Sequence, residues 1–158
     1  MNDQLVERHR DGLMLTTDRR RIDQRAVLAM LKGSHWGASV TADILSRAIE
    51  NSVCVSVLEG ERQLAFARAV TDLSTYAYLT DVIVAEKARG RGLGSWMVGA
   101  ILSHPDLQGL RRFSLLTRDA QSLYERFGFT TRMATSTYME RRAVANTPAP
   151  MEHKSQAR

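Results

Sequence analysis

Three successive runs in the middle of the chain alternate their side chains with a period of two, and no other feature narrows the choice of folds as far. Val53, Val55 and Val57 alternate with Ser52, Cys54 and Ser56. Leu64, Phe66, Arg68 and Val70 alternate with Ala65, Ala67 and Ala69, and residues 76–84 form a third run. Successive strand residues point to opposite faces, so this period belongs to strands. Glu59-Gly60-Glu61-Arg62 turns the first run back on itself as an antiparallel hairpin, and residues 72–75 turn the second run into the third. Such a meander excludes a coiled-coil rod. The helical segments on either side of it make the expected class an α/β domain around a mixed, mostly antiparallel sheet.

Residues 13–16 read as a short first strand ended by Asp18. Over residues 22–31, Ala26, Val27, Met30 and Leu31 recur at helical spacing, with Gly33 as the stop. Thr41 caps a second helix whose Ile44, Leu45, Ala48 and Ile49 share one face. After the meander and a Gly/Arg loop, Leu93, Trp96, Met97, Ala100 and Ile101 line a third helix, closed by His104-Pro105-Asp106. Residues 113–116 read as a strand parallel to 76–84, because a helix makes the crossover. Ala120, Leu123, Tyr124 and Phe127 form the face of a last helix stopped by Gly128, and residues 130–141 read as one or two closing strands. The expected order is β-α-α-β-β-β-α-β-α-β. It makes one domain over residues 13–142, between an N-terminal tail at 1–12 and a flexible C-terminal tail at 143–158.

A chain of 158 residues can bury enough surface to fold without a disulfide or metal staple. The single cysteine, Cys54, excludes an internal disulfide framework and a thiolate zinc cluster within one chain. In a valine-rich strand it reads as a small buried hydrophobe. No membrane-spanning run or secretory signal is present, so a cytoplasmic location is expected. The charge balance is less ordinary. Lys+Arg is 22 against 17 Asp+Glu, a net of +5. Only Lys32, Lys87 and Lys154 among those cations are lysines. An arginine surplus suits phosphate, which guanidinium binds bidentately. Polynucleotide and phosphorylated small molecule both fit that surplus.

Arg89-Gly90-Arg91-Gly92-Leu93-Gly94 moves the balance toward the phosphorylated small molecule. The loop lies between the apolar Val82, Ile83 and Val84 and an amphipathic helix, where backbone N–H groups at a helix N-terminus can hold a phosphate. Glycines allow close approach and positive φ, while Arg89 and Arg91 add charge. The spacing is not that of a P-loop, which ends Gly-Lys-Ser/Thr, nor of the dinucleotide pattern G-x-G-x-x-G.

The loop fits R/Q-x-x-G-x-G/A, the pyrophosphate-binding signature of the GNAT superfamily of N-acetyltransferases, with Arg89, Gly92 and Gly94 at its fixed positions. Residues 117–129, from Thr117 to Phe129, resemble that superfamily's second motif, N-x-x-A-x-x-L-Y-E-K-x-G-F, with Thr117 in place of Asn and Arg126 in place of Lys. The resemblance covers about residues 13–141. It implies acetyl-coenzyme A (acetyl-CoA) as co-substrate, a primary amine as acceptor, no metal, and a homodimer. It also implies that strands 76–84 and 113–117 splay apart to form the slot for the co-substrate.

On this resemblance the pyrophosphate is held by the backbone of Gly90, Arg91, Gly92, Leu93, Gly94 and Ser95 together with Arg89, and Thr117 lies beside the co-substrate. The pantetheine amides pair with the edge formed by Asp81, Val82, Ile83 and Val84. A backbone N–H near Val82 or Ile83 is the oxyanion donor. Tyr124 occupies the family's tyrosine position and is the expected acid for the leaving thiolate. Asp81, in strand phase with Leu79 and Ile83, is the expected base, directly or through water, unless it pairs with Arg68, the other charged residue inside a strand pattern. His35, Trp36 and Arg68 are the expected acceptor-side residues. Two competing readings remain open: a basic nucleic-acid-binding module, against which the scattered basic residues count, and a non-catalytic acyl-CoA sensor of the same fold.

Overall fold

The computed structural model describes residues 4–131 and 139 of the chain. Six strands form one sheet in sequence order: β1 (Glu7–Arg10), β2 (Leu13–Thr16), β3 (Val53–Glu59), β4 (Arg62–Thr71), β5 (Tyr76–Val84) and β6 (Arg112–Leu115). Every neighbouring pair is antiparallel except β5 with β6, which is parallel. The connection of the parallel pair contains the helix α3 (Leu93–Leu102), which carries the chain back across the sheet for the parallel crossover. The other helices are α1 (Gln24–Lys32), α2 (Ala42–Glu50) and the short α4 (Gln121–Glu125). Asp23 starts α1 by accepting from the N–H groups of Arg25 and Ala26, and Thr41 starts α2 by accepting from Ile44 N–H at 3.3 Å.

The sheet separates two cores. On one face Val53, Val55, Val57, Ala65, Ala67, Ala69 and Leu79 pack under α3, through Leu93, Met97, Val98 and Ile101. On the other, Cys54, Phe66 and Ile83 meet Val27 and Leu31 of α1 and Leu45 and Ile49 of α2. The alternation seen in the sequence is therefore used on both faces. Small alanines of β4 make room for α3, while Phe66 fills the opposite side.

The N-terminal residues depart from the expected tail. Glu7–Arg10 forms the edge strand β1, paired with β2 from Glu7↔Thr16 to Arg10↔Leu13. Its side chains are polar on both faces, so periodicity carries no sign of it. The Asp11-Gly12 turn does, since both residues take positive φ (50° and 76°), as a two-residue hairpin requires. Arg8 donates to Ser103 Oγ at 2.8 Å, and Arg10 donates to the Arg91 carbonyl at 3.2 Å while lying 4.3 Å over the Trp96 ring. The edge strand is thereby tied to both ends of α3. The expected C-terminal tail lies outside the described residues, as do the expected closing strands over residues 132–138 and 140–141.

One irregularity shapes everything downstream. Phe66 pairs with Ile83 but Arg68 pairs with Thr80, so β5 carries an extra residue opposite β4. Asp81, at that bulge, has φ +53°. The bulge shifts the phase of the strand. Leu79 lies in the α3 core, whereas Ile83, four residues on, lies in the α1/α2 core. This corrects the expectation that Asp81 shares one apolar face with both.

Candidate active site

The parallel pairing of β5 with β6 runs from Tyr76↔Arg112 to Leu79↔Leu115 and stops there. β5 continues, still paired to β4 through Ile83↔Phe66 and Val84↔Ala65. Beyond Leu79, the edge holding Asp81, Val82, Ile83 and Val84 therefore has no strand partner on the β6 side among the described residues. Such an edge can receive amide groups from an extended molecule. Thr117, just past β6, accepts from Ala120 N–H at 3.0 Å, so its hydroxyl oxygen is committed to the turn that leads into α4.

The far end of β5 passes through a 3-10 turn (Glu86–Ala88) into the Gly/Arg loop. Gly90 and Gly92 take φ of +77° and +72°. Gly92 sits at the N-cap of α3 and supplies no side-chain cap. The first amides of a helix have no intrahelical acceptor, so they stay available for an anion. Above them opens a pocket of about 280 Å³, whose wall includes Arg89, Gly90, Gly92, Gly94, Ser95 and Arg126. Arg89 donates to the Val84 carbonyl at 3.3 Å, and Arg126 reaches from α4 to Ser95 Oγ at 3.0 Å. Both guanidinium groups thus meet neutral oxygens, and no carboxylate among the described residues lies within ion-pair distance of either.

Arg91 behaves differently from Arg89. It is absent from the pocket wall, and its guanidinium lies 3.6 Å from Glu59 at the end of β3. Arg126, in contrast, lines the pocket. Sequence reasoning noted Arg126 only as a variation within the second motif. Its position three residues after Leu123, which also lines the pocket, was the available signal.

Asp81 and Arg68 meet on the α1/α2 side of the sheet. Arg68 Nε donates to Asp81 Oδ2 at 2.5 Å, and both side chains are largely buried, at 17% and 14% exposed. Arg68 Nη1 also donates to Ser52 Oγ at 3.2 Å, a buried residue that sequence reasoning did not single out. Asp81 Oδ1 accepts only a long bond from Thr80 Oγ1, 3.4 Å. Of the two expectations for Asp81, ion pairing with Arg68 is the one the geometry displays.

Tyr124 packs its ring edge against Phe129, with centroids 6.0 Å apart, beside the α3 core. Its hydroxyl makes no hydrogen bond among the described residues, and burial raises the phenol above its ordinary value of 10.0. It is a donor with no protein partner among the described residues. His35 and Trp36 lie in the turn between α1 and α2, with Trp36 46% exposed. Neither touches Arg68 or Asp81 through a hydrogen bond or ring contact. Among the described residues no cluster of three His, Cys, Asp or Glu side chains could hold a metal, and no helix is long and apolar enough to cross a membrane.

Comparison with known proteins bears on the family and the fold. The acetyltransferase (GNAT) domain family matches residues 50–131. A crystal structure from Xanthomonas campestris pv. campestris, assigned to the GNAT family of acetyltransferases, is 39% identical and superposes with a TM-score of 0.80, covering 85% of this chain and 96% of that one. A protein of Gibberella zeae assigned as an acetyltransferase is 29% identical, with 73% of this chain and 77% of that protein covered. Glucosamine-6-phosphate N-acetyltransferase from Arabidopsis thaliana, 18% identical with a TM-score of 0.57, shares the fold over 87% of this chain and its own full length.

Proposed function

The chain belongs to the GNAT acetyltransferase family, and from that membership we propose that it transfers the acetyl group of acetyl-CoA directly to a primary amine, through a tetrahedral intermediate. The observation that carries the substrate assignment is the pocket at the Gly/Arg loop. It joins a helix N-terminus, two glycines at positive φ, and the guanidinium groups of Arg89 and Arg126 without carboxylate partners. That donor set fits a pyrophosphate, which offers several acceptor oxygens and no donors at neutral pH. The loop amides of Gly90, Gly92, Leu93, Gly94 and Ser95 bind it, and the open edge of β5 pairs with the amides of the pantetheine arm.

The remaining roles are proton and charge management. A backbone N–H at Val82 or Ile83 donates to the thioester oxygen as negative charge develops there. Tyr124 keeps its proton at neutral pH, as a phenol with an ordinary value of 10.0 does, and donates it to the departing sulfur. Asp81 draws off the proton of the incoming ammonium through water, using Oδ1, the oxygen that Arg68 leaves open. The acceptor enters from the α1–α2 side, where Trp36 offers an exposed aromatic face and His35 a polar one.

The test is release of coenzyme A over a panel of polyamines, amino acids, aminoglycosides, arylalkylamines and peptides. The proposal expects release that depends on one class of amine and yields its acetamide. Binding of acetyl-CoA with no amine-dependent release over the whole panel would instead support a sensor of the same fold.

A further inference from the structure

Three non-glycine residues in the described chain take positive φ: Asp11, Leu73 and Asp81. The first two lie between strands, in the β1–β2 and β4–β5 turns, where such a backbone is ordinary. Asp81 alone lies inside a strand. A left-handed conformation is unfavourable for any L-residue and persists where surrounding contacts over-determine it. The contacts at Asp81 span three adjacent strands. Ser52 Oγ, beside the start of β3, accepts from Arg68 Nη1 of β4 at 3.2 Å, and Arg68 Nε donates to Asp81 Oδ2 of β5 at 2.5 Å. Ser52 is 1% exposed, so the far end of this chain of contacts is fixed in packed surroundings.

We propose that Arg68 is a positioning residue that, through Asp81, holds the β5 bulge and so aims the backbone N–H groups of Val82 and Ile83 at the thioester oxygen. The inference rests on the acetyl-transfer reading above. A largely buried ion pair is a weak source of net stability, because desolvation of both charges offsets their attraction, but its geometry is directional. Here direction is what the backbone needs. Without the guanidinium, Asp81 would hold an uncompensated carboxylate in an unfavourable conformation, and the bulge would relax toward regular pairing. The donors on either side of Val82 would then turn away from the slot. Asp81 thus has two separable properties: a carboxylate, which moves protons, and a left-handed backbone, which aims the donors.

Infrared spectroscopy of bound acetyl-CoA carrying a carbon-13 label at the thioester carbonyl separates them, because the carbonyl band reports polarisation by the oxyanion donors and not proton transfer. In the wild-type protein the band should lie below that of free acetyl-CoA. Arg68→Met should return it most of the way to the free position and lower kcat by about 10-fold or more, with acetyl-CoA affinity held within about 3-fold. Arg68→Lys, which keeps a cation in reach of Asp81, should fall between the two and serves if the Met variant folds poorly. In Arg68→Met combined with Asp81→Gly, glycine adopts positive φ without help. The band should return to the wild-type position while kcat stays low, since the carboxylate is gone. A wild-type band position in both Arg68→Met and Arg68→Lys would overturn the proposal, as would failure of the double variant to restore it. Absence of bound acetyl-CoA in the wild-type protein would overturn the acetyl-transfer reading, and this one with it.

Discussion

Tyr124 combines a half-buried ring with a hydroxyl that no described residue satisfies. That hydroxyl is not sealed from solvent, and on the proposed reading its partner is the leaving sulfur. Tyr124→Phe should therefore leave acetyl-CoA affinity unchanged and lower kcat by about 10²-fold, in the range of general acid catalysis. Steady-state kinetics alongside binding calorimetry checks this, and an unchanged kcat would remove the acid role. The pH dependence has a definite sign. Burial raises this phenol above 10.0, so the folded protein favours the neutral form. Its contribution to stability is complete below the ordinary value and is lost as pH rises through the raised one. Any loss of kcat due to its ionisation should accordingly lie above pH 10.0 in the pH–rate profile.

At the scale of elements, the Gly/Arg loop and the β4–β5 turn are two places where backbone shape depends on identifiable residues. Gly92 has φ +72°, and a Cβ placed on it would meet no atom within 4 Å. The cost of Gly92→Ala is thus conformational and not steric, on the order of 1–2 kcal/mol, and should appear as a lower urea midpoint with an unchanged m-value. At the turn, Asp72 accepts from the Thr75 hydroxyl at 2.5 Å and from the N–H groups of Thr75, Ser74 and Tyr76. The Thr75 hydroxyl first, and then those amides, hold its carboxyl well below the usual carboxylate range. A depressed value stabilises the folded state above the ordinary carboxylate pKa, and that stability is lost as pH falls below it. Asp72→Ala should lower the urea midpoint at pH 7 and flatten its decline below about pH 4.

The same two elements show what the sequence could and could not reveal. The loop was legible because its glycines and arginines stand between an apolar strand and an amphipathic helix, so composition and position point the same way. The caps Thr41 and Gly33, and the three strands of the meander, were legible for similar reasons. The bulge was not. Leu79, Asp81 and Ile83 look like one regular face, and a single extra residue leaves that pattern intact while moving Ile83 to the opposite core. β1 was missed because an edge strand with two polar faces has no period to detect, although Asp11-Gly12 marked its turn. That Arg91 reaches Glu59 while Arg126 lines the pocket was also hidden, because it depends on where Glu59 ends β3 in space.

For the whole molecule, the sheet divides the labour of the reaction. On the proposed reading, the α3 side carries the phosphate-binding loop, the α1/α2 side carries Arg68, Asp81 and the acceptor entrance, and the end of β5, freed from β6 past Leu79, connects them. The surplus of positive charge, +5 over the chain, favours approach of an anionic co-substrate before any specific contact forms. Binding energy in such a site goes wholly to the folded state, so it must raise the unfolding temperature. Thermal unfolding with and without acetyl-CoA therefore tests the central claim most directly. At about 100 times Kd the ligand adds about 2.7 kcal/mol, which for a domain of this size raises Tm by roughly 5–10 °C. No change in Tm at millimolar acetyl-CoA would contradict the account.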